Sequence, residues 1–420
     1  MTALGYAPSP WPAEDGGPRR LQVPGAGSGL GLRAAETLRA TVRRTLMSTM
    51  TVLGAPGEVY LLTHSALRAQ IGLPTTARVE LIDPISLKAR HRSPRLPGGP
   101  MWPGGMAVHR QGHLVVVYGR YAHRLNRRCE LEASLKLPLD EPYNSFVVLD
   151  NGLIVTKNLS SVTAAHLTVI DPGSFTPRGG HTVCPEPSIA RLSASGNTVY
   201  VVGVRSIWRY HWDDALQALV LDPGWHFDYV GLSAQTYGWD VVLDGRHAWF
   251  MDNGAHRYRH RMIGAGVSRS ANRLIRVSLT DAADHQTLDV SGLPGGSITN
   301  PPLVDVQRSI VVGYDSANAV LQAWTFEPGL RPLHPLRPLW RKAPFGCASH
   351  MILYPDTAEM VVNDYRRHGE EVVVLDITTG EERGRVRTGG LMQGVVFPSP
   401  GWARDFYWSS MGRLARVFVA

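Results

Sequence analysis

Short apolar runs, each closed by Asp, Gly, Asn or Pro, recur along almost the whole chain. The clearest set lies in residues 349–388. Residues 351–354, 360–362 and 372–377 are rich in Val, Ile and Tyr, and 383–387, with three arginines among five residues, is a weaker fourth run. Runs this short, broken by turn-forming residues, predict the strands of an antiparallel meander.

The first half of that unit repeats. An apolar stretch, a turn and a second apolar stretch recur at 104–118, 144–156, 188–202, 237–251, 300–314, 350–362 and 393–409, with a weaker copy at 51–63. Several units then carry a third-strand signature: Val-Glu-Leu-Ile-Asp-Pro at 79–84, Leu-Thr-Val-Ile-Asp-Pro at 167–172 and Val-Val-Val-Leu-Asp-Ile at 372–377. The second stretches begin near 58, 113, 153, 198, 247, 309, 360 and 405. Four-stranded units spaced by about 40–60 residues predict an all-β fold, a β-propeller of antiparallel blades. Eight starts are counted, or seven blades if the copy at 51 is a cap. Residues 393–420 have room for only three strands, so ring closure is expected to borrow an outer strand from the N-terminal region.

That region differs in pattern. Residues 1–31 are rich in Pro and Gly, and residues 32–46 place apolar side chains at helical spacing between arginines. The spacing predicts a short basic amphipathic helix, covering one end of the domain or lying upstream of a start at Met47 or Met50. The expected division is a tail over 1–46 and a propeller over 47–420.

Composition narrows the function classes. By length alone, 420 residues suggest two or three domains, but repeat units that pack only on their neighbours escape that limit. No apolar run approaches the ~20 residues of a membrane helix, so a soluble chain with no membrane partner is expected. The net charge of +8 permits anionic partners. Its arginines are scattered rather than gathered in an arm, so nucleic acid is not expected. Cys129, Cys184 and Cys347 are too few and too far apart for a disulfide framework or a thiolate metal pair. A cytoplasmic setting is expected.

The alignment also yields a ring of equivalent positions, one at the start of each inner strand: Gly104, Asn144, Ser188, Tyr237, Asn300, His350 and Gln393. In a propeller these starts gather at one mouth of the central channel, beside the loops joining second and third strands. Histidine is the residue type there that ordinarily titrates near neutrality, so His350 is the candidate catalytic proton carrier. Asn144, Tyr237, Asn300 and Gln393, with Asp240 three residues beyond Tyr237, are candidate ligand-binding residues.

With Asp-Pro closing third strands and Asn144 and Asn300 opening inner ones, the chain resembles the gluconolactonase, regucalcin and paraoxonase group and the YVTN-type propellers. In that group an inner-strand Asn binds calcium. The resemblance implies lactonase-like hydrolysis and a divalent cation such as calcium, held by Asn144, Asn300 and Asp240. The group's site also carries an Asp and a Glu, and no carboxylate occupies the ring here. The four channel histidines of iron-dependent carotenoid oxygenases are not matched, since His350 alone falls in the ring. The 11 tryptophans do not follow the period of quinone-cofactor dehydrogenases either.

The insertion at 252–272 belongs to the same face. His256 and His260 are spaced for one side of a helix, but Arg257, Arg259 and Arg261 oppose a cation, so an anionic group is the expected ligand. Tyr143, Trp102 and Trp239 lie where the chain enters inner strands, either lining a pocket or packing blades together. The combined reading is a soluble propeller binding a small anionic or aromatic ligand at the channel mouth, with lactonase-like hydrolysis as its chemistry if it is an enzyme. The alternative is a non-catalytic protein-interaction scaffold.

Overall fold

The computed structural model describes residues 4–65, 68, 71–99, 104–231, 234–259, 262–329, 332–366 and 369–420; the side chains of Asn144 and of residues 258–265 fall outside that description. Among the described residues the fold is all-β. Six four-stranded antiparallel sheets follow one another along the chain, a seven-stranded sheet joins its two ends, and a separate two-stranded hairpin stands apart. No helix among the described residues is long and apolar enough to cross a membrane.

Burial explains the sequence pattern. Second strands such as Leu114–Tyr118, His247–Met251 and Ile310–Asp315 are buried at every residue. Each is covered on both faces by neighbouring sheets, so its apolar run is continuous. Fourth strands such as His285–Asp289 alternate between exposed and half-buried residues, as strands with one wet face do.

The sheets pack in sequence order. Trp249 and Leu274 of one sheet meet Val312 and Trp324 of the next, and the same cluster reaches Met360 and Val373. Val361 and Val372 then join Leu414 and Leu61, Leu62 and Val79 join Met106 and Leu114, and Val117 joins Ile154. Val155 with Val199 and Tyr200 with Phe250 bring the series back to its start. The sheets therefore form a closed ring, the arrangement of a propeller. Each fully buried Leu, Val or Phe at these contacts contributes about 1.5–3 kcal/mol.

The aspartate of the third-strand signature has a local cause. The Asp171 side chain accepts hydrogen bonds from the N–H groups of Gly173 and Ser174. Asp83 does the same for Ile85 and Ser86, and Asp376 for Thr378. Four residues after each of these aspartates stands a residue with positive φ: Leu87 (61°), Phe175 (56°) and Gly380 (73°). The aspartate thus fixes the start of a tight turn, and a left-handed residue ends it.

Closure borrows an N-terminal strand. Strand Leu38–Leu53 pairs over residues 38–44 with residues 413–419, then over residues 48–53 with residues 59–63. The handover falls at Met47, whose φ is 34°. The amphipathic helix expected over 32–46 is therefore corrected: residues 38–46 are strand. Leu38, Val42 and Leu46 are four apart, an interval that satisfies a helical stripe and also one face of a strand. Pairing with the C-terminal strand selects the strand, and Val42 and Leu46 end up exposed rather than packed.

Nor is the segment before it a detached tail. It lies across one mouth of the central channel, with Trp11, Arg20, Gln22 and Leu30 buried. Inner-strand N–H groups that would otherwise face the channel unpaired bond to its carbonyls: Leu53 to Trp11 (2.8 Å), Val108 to Pro12 (2.7 Å), Ala194 to Pro18 (2.8 Å), Leu243 to Arg19 (2.9 Å) and Leu353 to Gln22 (2.8 Å). The Tyr6 hydroxyl accepts from Val148 N–H (2.8 Å), and the Gln22 amide donates to Pro302 O (2.9 Å). Buried backbone polar groups need such partners. One irregular segment supplies them to several sheets at once.

Candidate functional site

The same segment carries charge into the channel. A single turn at Glu14–Gly16 and three non-glycine residues with positive φ, Asp15 (54°), Arg20 (54°) and Gln22 (59°), bend the chain tightly. Residues held in sparsely populated backbone regions collect at sites where their position matters.

Arg20, 1% exposed, is the hub. Its guanidinium donates to Glu14 Oε1 (2.6 Å), Asp15 Oδ2 (2.8 Å), the Ser145 hydroxyl (3.3 Å) and Leu192 O (2.9 Å), and Nη1 lies 3.7 Å from Asp240 Oδ2. Arg191 pairs with Glu14 Oε2 at 2.6 Å, its backbone N–H donates to Asp240 Oδ1 at 2.7 Å, and its guanidinium stacks 4.4 Å from the Phe397 ring centroid. His350 also packs on that ring, centroids 3.9 Å apart, with Nδ1 2.8 Å from Asp15 Oδ1. Burial pushes the Asp15 carboxyl up, but His350 and Arg20 beside it outweigh burial and hold it below the usual carboxylate range. Arg20 is likewise raised: Glu14, Asp240 and Asp15 outweigh its burial.

The ring positions separate in this geometry. His350 and Asp240 join the charged cluster, both 1% exposed, so His350 is buried against the N-terminal segment and not open at a solvated mouth. Asn300 donates its amide to Ala348 O at 2.5 Å, and Gln393 donates to Gly346 O at 3.0 Å. Both are buried braces between neighbouring inner-strand entries. Tyr237 is half-buried against the core of its sheet, where Trp239 also packs, and Tyr143 packs between two sheets. Asn144 lies within strand Tyr143–Val148. Of the proposed calcium set, Asp240 lies beside Asp15 and His350, and the Asn300 amide NH2 donates to Thr299 Oγ1 and to the carbonyls of Ala348 and Val395.

The insertion forms the hairpin His256–Arg259 and Met262–Gly266, a strand pair where the histidine spacing assumed a helix. Arg257 is exposed on it, and the side chain of Arg259 is outside the described set. His260, Arg261 and Trp102 lie outside the described residues.

Two features escaped the sequence reading. Lys157, 1% exposed, donates Nζ to Ser188 O (3.0 Å) and Asn158 O (3.3 Å), and burial pushes it down to about 7. Its signal was a lone lysine ending the apolar run 153–156.

The second is a cavity of about 530 Å³ where the closing residues 43–46 meet the strands Val59–His64, Thr76–Ile82 and Ala89–Arg92. Arg43, Arg44, Arg68, Arg78, Arg92 and Arg95 line it with His64, and among the described residues Glu80 is its one carboxylate. Glu80 is held by Arg43 (2.6 Å) and Arg92 (2.9 Å). The Nε atoms of Arg68 and Arg78 are buried without a hydrogen-bond partner. His64 is 2% exposed, and burial pushes it down to about 4. Arg43 and Arg44 stand in the segment whose spacing predicts a helix, and only its pairing as a strand turns them to this cavity.

No family profile matches the chain, and no curated protein does. Several solved structures resemble it in strand arrangement. Apo AztD from Citrobacter koseri shares 14% identity over 86% of this chain and 98% of its own, with a TM-score of 0.49. A putative 6-phosphogluconolactonase from Bacteroides fragilis shares 13% over 69% and 83%, with a TM-score of 0.43. The WD40 domain of Toxoplasma gondii coronin shares 8% over 92% and 87%, with a TM-score of 0.47. At these identities each is a likeness of shape alone.

Proposed function

We propose that this propeller binds a small anionic molecule in the arginine-lined cavity beside its closing seam. The observation that carries the reading is the imbalance of that cavity: six guanidinium groups surround about 530 Å³ of space and one carboxylate. Guanidinium forks pair with carboxylate or phosphate oxygens two at a time. Arg43 and Arg92 are already fixed by Glu80, so Arg68 and Arg78, with unpartnered Nε atoms, are the groups free to engage a ligand. The ring behind the site is read as eight blades, with the seven-stranded sheet counting as two of them.

Inorganic tripolyphosphate is a suitable probe, titrated calorimetrically at two salt concentrations. Binding is expected, weakened by added salt, and at least about tenfold weaker in Arg78→Ala, the usual scale for one charge-assisted hydrogen bond. Equal affinity in the wild type and Arg78→Ala would overturn the assignment of the site, and no binding by the wild type would overturn it in favour of the scaffold reading, in which no small ligand is held.

A further inference from the structure

The channel cluster brings three buried carboxylates, Glu14, Asp15 and Asp240, against two guanidiniums, Arg20 and Arg191. The buried Lys157 also acts on Asp240. What stands out in the cluster is a set of buried side-chain atoms left without a hydrogen bond.

The geometry points to a divalent metal ion, and we propose that Asp15, Asp240 and His350 bind one. Their ligand atoms all lie within 4.8 Å of one another, and each residue is 1–2% exposed. A second observation comes from hydrogen bonding. Neither ring nitrogen of His350 makes a hydrogen bond, and Asp15 Oδ1 makes none. Nδ1 and Oδ1 approach to 2.8 Å, yet that approach is misdirected for a hydrogen bond. Two lone-pair donors side by side without a shared proton direction are what a metal ion would bridge. Tetrahedral ligand atoms about 2.0–2.2 Å from a common ion sit roughly 3.3–3.6 Å apart, so an ion would spread the 2.8 Å pair of Nδ1 and Oδ1 slightly.

The ligand chemistry narrows the ion. One imidazole with two carboxylates suits zinc, manganese or iron, whereas calcium and magnesium favour all-oxygen sets. The surrounding arginines act on the outer oxygens: Arg20 holds Asp15 Oδ2 and the Arg191 backbone N–H holds Asp240 Oδ1, which orients the remaining oxygens as second-layer partners of metal ligands do. Asp15 and Arg20 also line a cavity of about 350 Å³ formed by the N-terminal segment, which supplies an entry path. Because Asp15 belongs to that segment, the ion would fasten it to two inner strands.

The test uses the full chain, stripped with a chelator and returned to zinc, manganese or cobalt ions. Uptake of about one equivalent per chain is expected, with a rise in Tm that follows metal concentration as ligand linkage requires. His350→Gln should lose more than about tenfold in affinity while keeping the wild-type circular dichroism. Uptake that is unchanged in His350→Gln, or the absence of stoichiometric uptake by the folded wild type, would overturn the site. Should His350→Gln fail to fold, cobalt absorption of the wild type decides: visible d–d bands at one equivalent support the site, and their absence overturns it.

Discussion

Gln22 and Met351 are joined by a hydrogen bond of 2.7 Å from the Met351 N–H to the Gln22 side-chain oxygen, although they stand 329 positions apart in the chain. The Gln22 carbonyl takes the Leu353 N–H as well, and its amide reaches Pro302 O. One side chain and its backbone thus satisfy two neighbouring inner strands. Gln22→Ala strands one buried acceptor and one buried donor, so a loss of about 2–4 kcal/mol is expected in denaturant unfolding. A loss below about 0.5 kcal/mol would mean that the segment does not hold the channel in solution.

Removing residues 413–420 deletes the partner of residues 38–44 and bares two strand edges. Free edges template association. The shortened chain is expected to aggregate on size-exclusion chromatography, whereas the buried-to-small change Leu414→Ala should remain monodisperse and lose about 2–5 kcal/mol.

His64 is buried without a ring hydrogen bond, and burial pushes it from 6.5 down to about 4. The unfolded chain therefore binds more protons between these values, so stability rises with pH from about 4 to 6.5 and the full penalty applies below 4. His64→Phe keeps the stacking against Tyr118 and removes the titration. It should stabilise the protein more at pH 5 than at pH 8, measured by urea unfolding at both. An equal effect at the two values would show that His64 is not buried in its neutral form.

Lys157 titrates from 10.5 when free to about 7 in place. Between these values the unfolded state again holds the extra proton, so stability contributed through this group rises from pH 7 towards 10.5. The difference between wild type and Lys157→Met isolates that contribution. It should shift in favour of the wild type on going from pH 7 to 9.5, and a pH-independent difference would refute the low value.

The strands were legible because their cause is local. A run buried on both faces, such as Leu114–Tyr118, must be continuously apolar, and an Asp-initiated turn such as that at Asp171 keeps its aspartate. Residues 38–46 misled because an interval of four fits helix and strand alike. His350 and Asp240 could be singled out from the repeat, but their partner Asp15 lies in a Pro- and Gly-rich stretch with no periodicity. That stretch is held through backbone carbonyls, which leave no trace in side-chain pattern. The arginine-lined cavity draws its residues from separate strands, and only the folded seam brings them together.

The pairing of residues 38–44 with 413–419, together with the mutual bonds of Thr37 and Ala420 (3.2 and 2.9 Å), sets an order on the chain's biosynthesis. Residues 38–44 are made long before residues 413–419, the strand they pair with. Until then the earliest-made segment must wait unpaired while the intermediate sheets stack one on another. Contacts of such long sequence separation form slowly, and a half-built ring presents open edges to its neighbours. For this molecule, the emergence of residues 413–419 is the step at which the ring can first shut, and any delay before it lengthens the interval in which two partly built copies can join edge to edge.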